Sequence, residues 1–231
     1  SMNTQKPPFD NRNIRLAMAY ATPKVGLAQV QGGSVVIDSM TPSMFSTYYS
    51  SPNVPEFDLN KAMQLLAQEG YGPGNPLRFE TWVYGGNTVV MEAFQAVLRG
   101  IGVEMSIRNL EFGVFLEGMA RGEYQMLSGS WNNVTGDPLV AIENYWSGSW
   151  GSRNISFFQN DRVDELYELA KAAVDEQVII EAAREVQEIA AAEMPIIPTY
   201  SQLAIFAMDK RLQGVQVLPS SVYSFRTAYF E

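Results

Sequence analysis

The most regular hydrophobic patterning lies in the middle of the chain. Leu77 to Tyr84 alternates apolar and polar positions, the period of a strand. Val90, Ala93, Phe94, Val97, Leu98 and Ile101 then recur at helical spacing. Val103 to Asn109 alternates again, Phe112 to Arg121 reads as a second helix, and Tyr124 to Gly129 as a third strand. Strand–helix–strand–helix–strand predicts a parallel sheet with right-handed crossovers, an α/β fold with helices flanking a parallel-rich central sheet.

The flanks are patterned differently. Asn3 to Pro8 is a polar, proline-containing lead-in behind a Ser1-Met2 pair that resembles a tag remnant. Asp10 is the expected N-cap of a helix from about Asn11 to Tyr20, with Ile14, Ala17 and Met18 on one face. Gly26 to Ser51 has no clear period and reads as loop with short ordered pieces. Asp58 caps a helix through about Glu69, and Gly70 ends it before a Tyr71–Pro76 turn cluster. The last third is helical. Val163, Leu166, Tyr167, Ala170 and Val174 form one stripe, and Ile179, Ala182, Ala183, Val186, Ile189 and Ala190 another, which Pro195 stops. Ile196 to Phe206 and Val215 to Leu218 read as strands.

Composition removes several kinds of chemistry. With neither His nor Cys among 231 residues, Ser-His-Asp and Cys-His catalysis are ruled out, as is ordinary zinc, copper or haem ligation. No Gly-x-x-x-x-Gly-Lys-Ser/Thr phosphate loop occurs. A net charge of −9 argues against nucleic acid as partner, whose phosphates require clustered Lys and Arg. The reading carries no cofactor, no metal site and no catalytic residue.

Ligands of open parallel sheets sit beyond the carboxyl ends of the strands. That rule selects Tyr84-Gly85-Gly86-Asn87, Leu110-Glu111-Phe112 and Ser130-Trp131-Asn132-Asn133. The Gly-Gly pair lets a ligand approach the backbone and opens a helix whose free N–H groups favour an anionic group. Trp131 beside two amides offers a flat apolar wall with donors and acceptors, suited to a peptide or a sugar. Each pick has a plainer structural alternative. Gly85-Gly86 is also an ordinary turn, Trp131 a packing residue, and Asn132-Asn133 a strand terminator. Asp137-Pro138 is a common helix start. Trp146 and Trp150, flanking a Ser-Gly-Ser loop, either cover a ligand or pack their own loop.

These segments carry a family likeness. Lys6 to Asp10 with Ile14 to Ala17 and Tyr20-Ala21, Asp58 to Tyr71, Ile101 to Val103, Asn109 to Phe112, Gly129 to Pro138, Asn154 to Leu166 and Met194 to Tyr200 occur in family order. The chain resembles the C-terminal half of the large ABC-importer solute-binding proteins for oligopeptides, dipeptides, glutathione or nickel. The resemblance implies a type II periplasmic-binding-protein-like fold of two α/β lobes that close on ligand. Residues 8–200 would be the second lobe and residues 201–231 a return segment toward a first lobe absent from this chain. It implies a non-enzymatic, extracytoplasmic protein, periplasmic or lipid-anchored on the outer face of the cytoplasmic membrane. Its partners would be a peptide or peptide-like ligand and ABC permease subunits. Implied ligand contacts are Tyr84, Gly85, Gly86, Asn87, Trp131, Asn132, Asn133, Val134 and Asp137.

One departure narrows the ligand. Many peptide-binding members place an Asp three residues after the tryptophan, where it pairs with the peptide amino terminus. Here that position is Val134, and Asp137 is the nearby carboxylate. Nickel is disfavoured by the absence of histidine. Two other readings compete: an oligosaccharide or opine-like ligand, and a carboxylate hydrolase drawing on Glu111, Asp137 and Glu143.

Overall fold

The structure is a computed structural model and describes the chain except residues 42–44, 46, 51, 86–87, 131–135, 203–206 and 218–222. In chain order its elements are α1 (Arg12–Tyr20), α2 (Lys24–Val30), β1 (Val35–Val36), α3 (Leu59–Gln68), β2 (Leu77–Tyr84), α4 (Thr88–Arg99), β3 (Val103–Leu110), α5 (Phe112–Ala120), β4 (Met126–Leu127) and α6 (Pro138–Glu143). A 3-10 turn at Ser147–Ser149 precedes α7 (Asp161–Ala172) and α8 (Glu176–Glu193). The tail holds β5 (Tyr200–Ser201), β6 (Leu212–Gln213), β7 (Gln216–Val217), β8 (Tyr223–Ser224) and β9 (Tyr229–Phe230).

The central sheet has the strand order β3-β2-β4, with both pairings parallel. Leu77 stands opposite Val103 and Tyr84 opposite Leu110, while Trp82 stands opposite Leu127. The pleat sends alternate side chains of β2 to opposite faces. Leu77 and Phe79 join Val90, Phe94 and Leu98 of α4, together with α1 and α3, in one core. Trp82 joins Phe115 of α5, Tyr124, Leu127 and Ile155 in another. The two crossover helices therefore cover opposite faces, and the chain reverses its winding at β2, between β3 on one side and β4 on the other. A third core packs α6, α7 and α8 against one another.

Caps explain where the helices start. Asn11, rather than the expected Asp10, caps α1, its side chain accepting from the backbone N–H groups of Asn13 and Ile14. Asp58 caps α3 as expected, accepting from Lys61 N at 3.0 Å, and Gly70 adopts φ +82° behind it. α8 ends in a left-handed Met194, immediately before Pro195.

Other expectations need correction. The 26–51 stretch, expected to be loop with short ordered pieces, holds most of α2, which begins just ahead of it, and the two-residue β1. α2 buries only Leu27 and Ala28, has a Pro23 N-cap without a side-chain bond, and contains Gly26, so its apolar stripe is too short to read. The third strand is two residues rather than six, because it pairs with β2 only at Met126 and Leu127. Val174 is fully exposed beyond the end of α7, outside the stripe assigned to it. Of Ile196 to Phe206, only Tyr200–Ser201 pairs as a strand among the described residues, antiparallel to β1. Of Val215 to Leu218, Gln216–Val217 pairs with β8, and Leu218 lies outside the described residues. The first residues pack into the fold: Met2 is fully buried and bridges to Met126, and Asn3 donates to the carbonyls of Gly122 and Tyr124.

Candidate functional site

In open parallel sheets the crevice that takes ligands lies at the carboxyl edge where the winding reverses, which here is at β2. β2 leaves toward α4 on one face, whereas β3 leaves toward α5 on the other. Trp82 and Leu127 are register partners, and Ser128 N donates to Trp82 O at 2.9 Å. Trp82 and Leu127 are the last paired residues; Tyr84 and Gly129 each lie two residues beyond them.

Of the nine expected contact residues, Tyr84, Gly85 and Asp137 are described. Gly86, Asn87, Trp131, Asn132, Asn133 and Val134 lie outside the described residues. The half-buried Tyr84 ring sits 5.1 Å from Phe112 and 4.7 Å from Phe115, measured between centroids. That contact gives the rim of the crevice an aromatic wall shared between β2 and α5. Gly85 has φ +58° with open space where a Cβ would stand, so the turn requires glycine for its backbone and not for room. Asp137 caps α6, its carboxylate accepting from Leu139 N at 2.9 Å, with Pro138 in the first helical turn.

The Leu110-Glu111-Phe112 segment closes its own helix start. Glu111 accepts from Gly113 N at 2.8 Å and Val114 N at 3.2 Å. These N–H bonds hold its carboxyl below the ordinary range, so it is ionised at neutral pH and already engaged. An anionic ligand group gains little at that end of α5. The carboxylates nominated for hydrolysis are each tied into structure. Glu111 and Asp137 cap helices, while Glu143 accepts from Tyr167 OH at 3.3 Å and lies 4.0 Å from Arg153. A glycosidase needs one carboxyl raised to act as an acid, and Glu111 is shifted the opposite way.

Trp146 and Trp150 pack their own loop. Trp146 stacks on Tyr167 with centroids 3.8 Å apart and planes inclined by 17°. Trp150 donates its indole N–H to Phe158 O at 2.9 Å. The residue that organises this loop is Asn154, which is completely buried. Its amide donates to Phe158 O at 2.8 Å and Trp146 O at 3.1 Å, and its oxygen accepts from Ser156 Oγ at 2.8 Å and Phe158 N at 3.2 Å. The loop so fixed delivers Ile155 into the core with Leu127, beneath the crevice. Sequence patterning gives no sign of this role, because a buried loop amide has no period. A shallow depression at the opposite end of the sheet is lined by Arg78, Glu80, Arg99 and Glu104 among others. Arg78 pairs with Glu104 at 2.7 Å, Glu80 lies 3.7 Å from Arg108 outside the lining, and Arg99 donates to Gln95 Oε1 at 2.8 Å.

Comparison with known proteins follows this geometry. The family model described as "Bacterial extracellular solute-binding proteins, family 5 Middle" matches residues 1–153. Di/tripeptide-binding protein 2 of Pseudomonas aeruginosa is 27% identical over 237 residues, covering 97% of this chain and 44% of the relative. Glutathione-binding protein GsiB of Salmonella typhimurium is 28% identical over 246 residues, covering 99% of this chain and 46% of the relative. The structure of HbpA2 from Haemophilus parasuis superposes on the whole chain with a TM-score of 0.86 at 26% identity, using 47% of that protein. The chain thus spans about half the length of the curated relatives it matches.

Proposed function

The chain belongs to the bacterial extracellular solute-binding proteins of family 5, and from that premise we propose that it is the second lobe of an ABC-importer binding protein. The protein captures a short peptide or peptide-like solute outside the cytoplasmic membrane and hands it to permease subunits. The observation that carries this reading is the winding reversal at β2, where β2 and β4, paired at Trp82 and Leu127, run side by side toward the carboxyl edge within the family-matched residues. The ligand contacts on this reading are Tyr84, Gly85, Gly86, Asn87, Trp131, Asn132, Asn133, Val134 and Asp137. The di/tripeptide and glutathione relatives support a small peptide-like ligand.

Residues 8–200 form the lobe and residues 201–231 run back toward the other half of the parent protein. The tail's small antiparallel pairings support this, β6 with β9 and β7 with β8. They leave Val217, Tyr223, Phe225, Tyr229 and Phe230 exposed. Contacts from both lobes add on closure, so the full-length parent binds more tightly than this chain alone.

Thermal denaturation of the full-length parent tests the reading against dipeptides, tripeptides, glutathione and oligosaccharides. A ligand at about 100 times its Kd stabilises by roughly 2.7 kcal/mol. A rise in Tm with peptides or glutathione supports the proposal. A rise with sugars alone overturns the ligand class.

A further inference from the structure

α8 holds a distant stretch of the chain through one buried amide. Gln187 is 3% exposed and uses its whole hydrogen-bonding capacity. Its oxygen accepts from Ser39 Oγ at 2.9 Å and from Ser50 N at 3.2 Å. Its amide donates to Tyr48 O at 2.8 Å and, one turn back, to Ala183 O at 2.9 Å. All but the last of these bonds go to the 39–50 segment, and they hold it at both ends. Arg184 and Glu188, on the same face of the helix, add bonds to Thr47 O and Ser50 Oγ. Glutamate lacks the donors and methionine lacks both donors and acceptor, so neither reproduces the clamp. The apolar residues Ala183, Val186 and Ala190 of α8 share a core with α6 and α7.

The segment so held meets the candidate site. Phe45 stacks on Tyr48, with centroids 5.6 Å apart and planes inclined by 13°, and both rings join Leu139, Ala141 and Ile142 of α6 in one core. A Cβ built on Gly136 would stand 3.0 Å from Cε1 of Phe45, so the ring lies directly against the Gly136 backbone. Gly136 has φ +70° and immediately precedes Asp137, the cap of α6. The 39–50 segment thus bears on the place where α6 begins. We propose that Gln187 and Phe45 are positioning residues for the solute site: Gln187 clamps the 39–50 segment on α8, and Phe45 passes that restraint to Gly136 and Asp137. The inference rests on the assignment of Asp137 to the solute site under the proposed function. Both residues act through the frame that presents Asp137 and not by touching the solute. A frame ordered before the solute arrives leaves less ordering to be done on binding, which raises affinity.

The test compares the full-length parent with its Phe45→Ala, Phe45→Leu and Gln187→Met variants. Hydrogen exchange is read without solute, and binding by calorimetric titration with trialanine and with glutathione. Ser39→Ala, which removes a single bond to Gln187, takes the place of Gln187→Met if that variant gives no cooperative melt. Phe45→Ala and Gln187→Met should each speed exchange at residues 136–143 by about five-fold or more, with 77–79 and 103–105 unchanged. Each should weaken binding of whichever solute the wild type takes by about ten-fold, and the double variant should bind about as well as the weaker single one, because both act through one contact. Phe45→Leu, which keeps an apolar wedge against Gly136, should recover most of both losses. Unchanged exchange at 136–143, faster exchange with binding intact, or losses in log Kd that simply add overturn the proposal. If the wild type binds neither trialanine nor glutathione, the peptide-like ligand of the proposed function falls, and the exchange comparison still upholds or overturns the clamp.

Discussion

Replacing Asn154 with alanine tests how the loop beneath the crevice is held. The side chain is fully buried and makes four hydrogen bonds. Two of its partners keep company after the substitution, since Trp146 O still accepts from Ser149 Oγ at 2.9 Å and Phe158 O from Trp150 Nε1 at 2.9 Å. Phe158 N and Ser156 Oγ lose the partner they have here, and the hydroxyl can rotate toward another acceptor. At about 0.5–1.5 kcal/mol for each of these two bonds, plus about 1–3 kcal/mol for the buried orphan N–H, the expected loss is about 2–6 kcal/mol. For a chain of this size that lowers Tm by about 4–24 °C, at about 2–4 °C per kcal/mol. Calorimetry or circular-dichroism melts of the wild type and Asn154→Ala measure it. Asn154→Asp keeps the accepting oxygen, loses both donated bonds and buries a charge, so it should not rescue stability. A loss below about 1 kcal/mol for Asn154→Ala would refute the bond accounting, because four buried bonds cannot vanish so cheaply unless water replaces them.

Other changes probe separate parts of the account. Gly118→Ala places a Cβ 2.5 Å from the Trp82 ring and should destabilise by about 1–3 kcal/mol, seen as a lower denaturant midpoint. Asp137→Ala removes the α6 cap and should cost about 1 kcal/mol, whereas Asp137→Asn, an equally good cap, should keep stability. If only the alanine variant weakens peptide binding, Asp137 acts through the helix start and not through its charge. Glu111 has a folded pKa below its ordinary 4.5, so its capping contribution is present above that pH and fades as pH falls through the folded value. Wild type and Glu111→Gln should therefore differ in stability at pH 7 and converge in strong acid; a constant difference across the range would contradict that cap.

The middle of the fold was legible in the sequence because burial there is one-sided or periodic. Leu77–Tyr84 forms a strand with the expected ends, and α3 and α6 begin behind the expected caps, Asp58 and Asp137. What could not be read lacks a period or depends on distant partners. β4 shrinks to two residues because its length is decided by pairing with β2, far away in the chain. Asn11 displaces Asp10 as the α1 cap although both are good cap residues one position apart. The winding reversal that makes the crevice is a property of strand order, which alternation along one strand does not encode. Trp146 and Trp150 looked equally suited to ligand or loop, and it took Tyr167 and Phe158 O to assign them to the loop.

Hydrogen exchange on the full-length parent, with and without a saturating di- or tripeptide, tests the central claim most directly. The crevice account predicts ligand-induced protection at residues 84–88 and 129–138, with the opposite end of the sheet at 77–79 and 103–105 unchanged. Protection confined to that opposite end, or none at either carboxyl-edge segment while the peptide is bound, would contradict it.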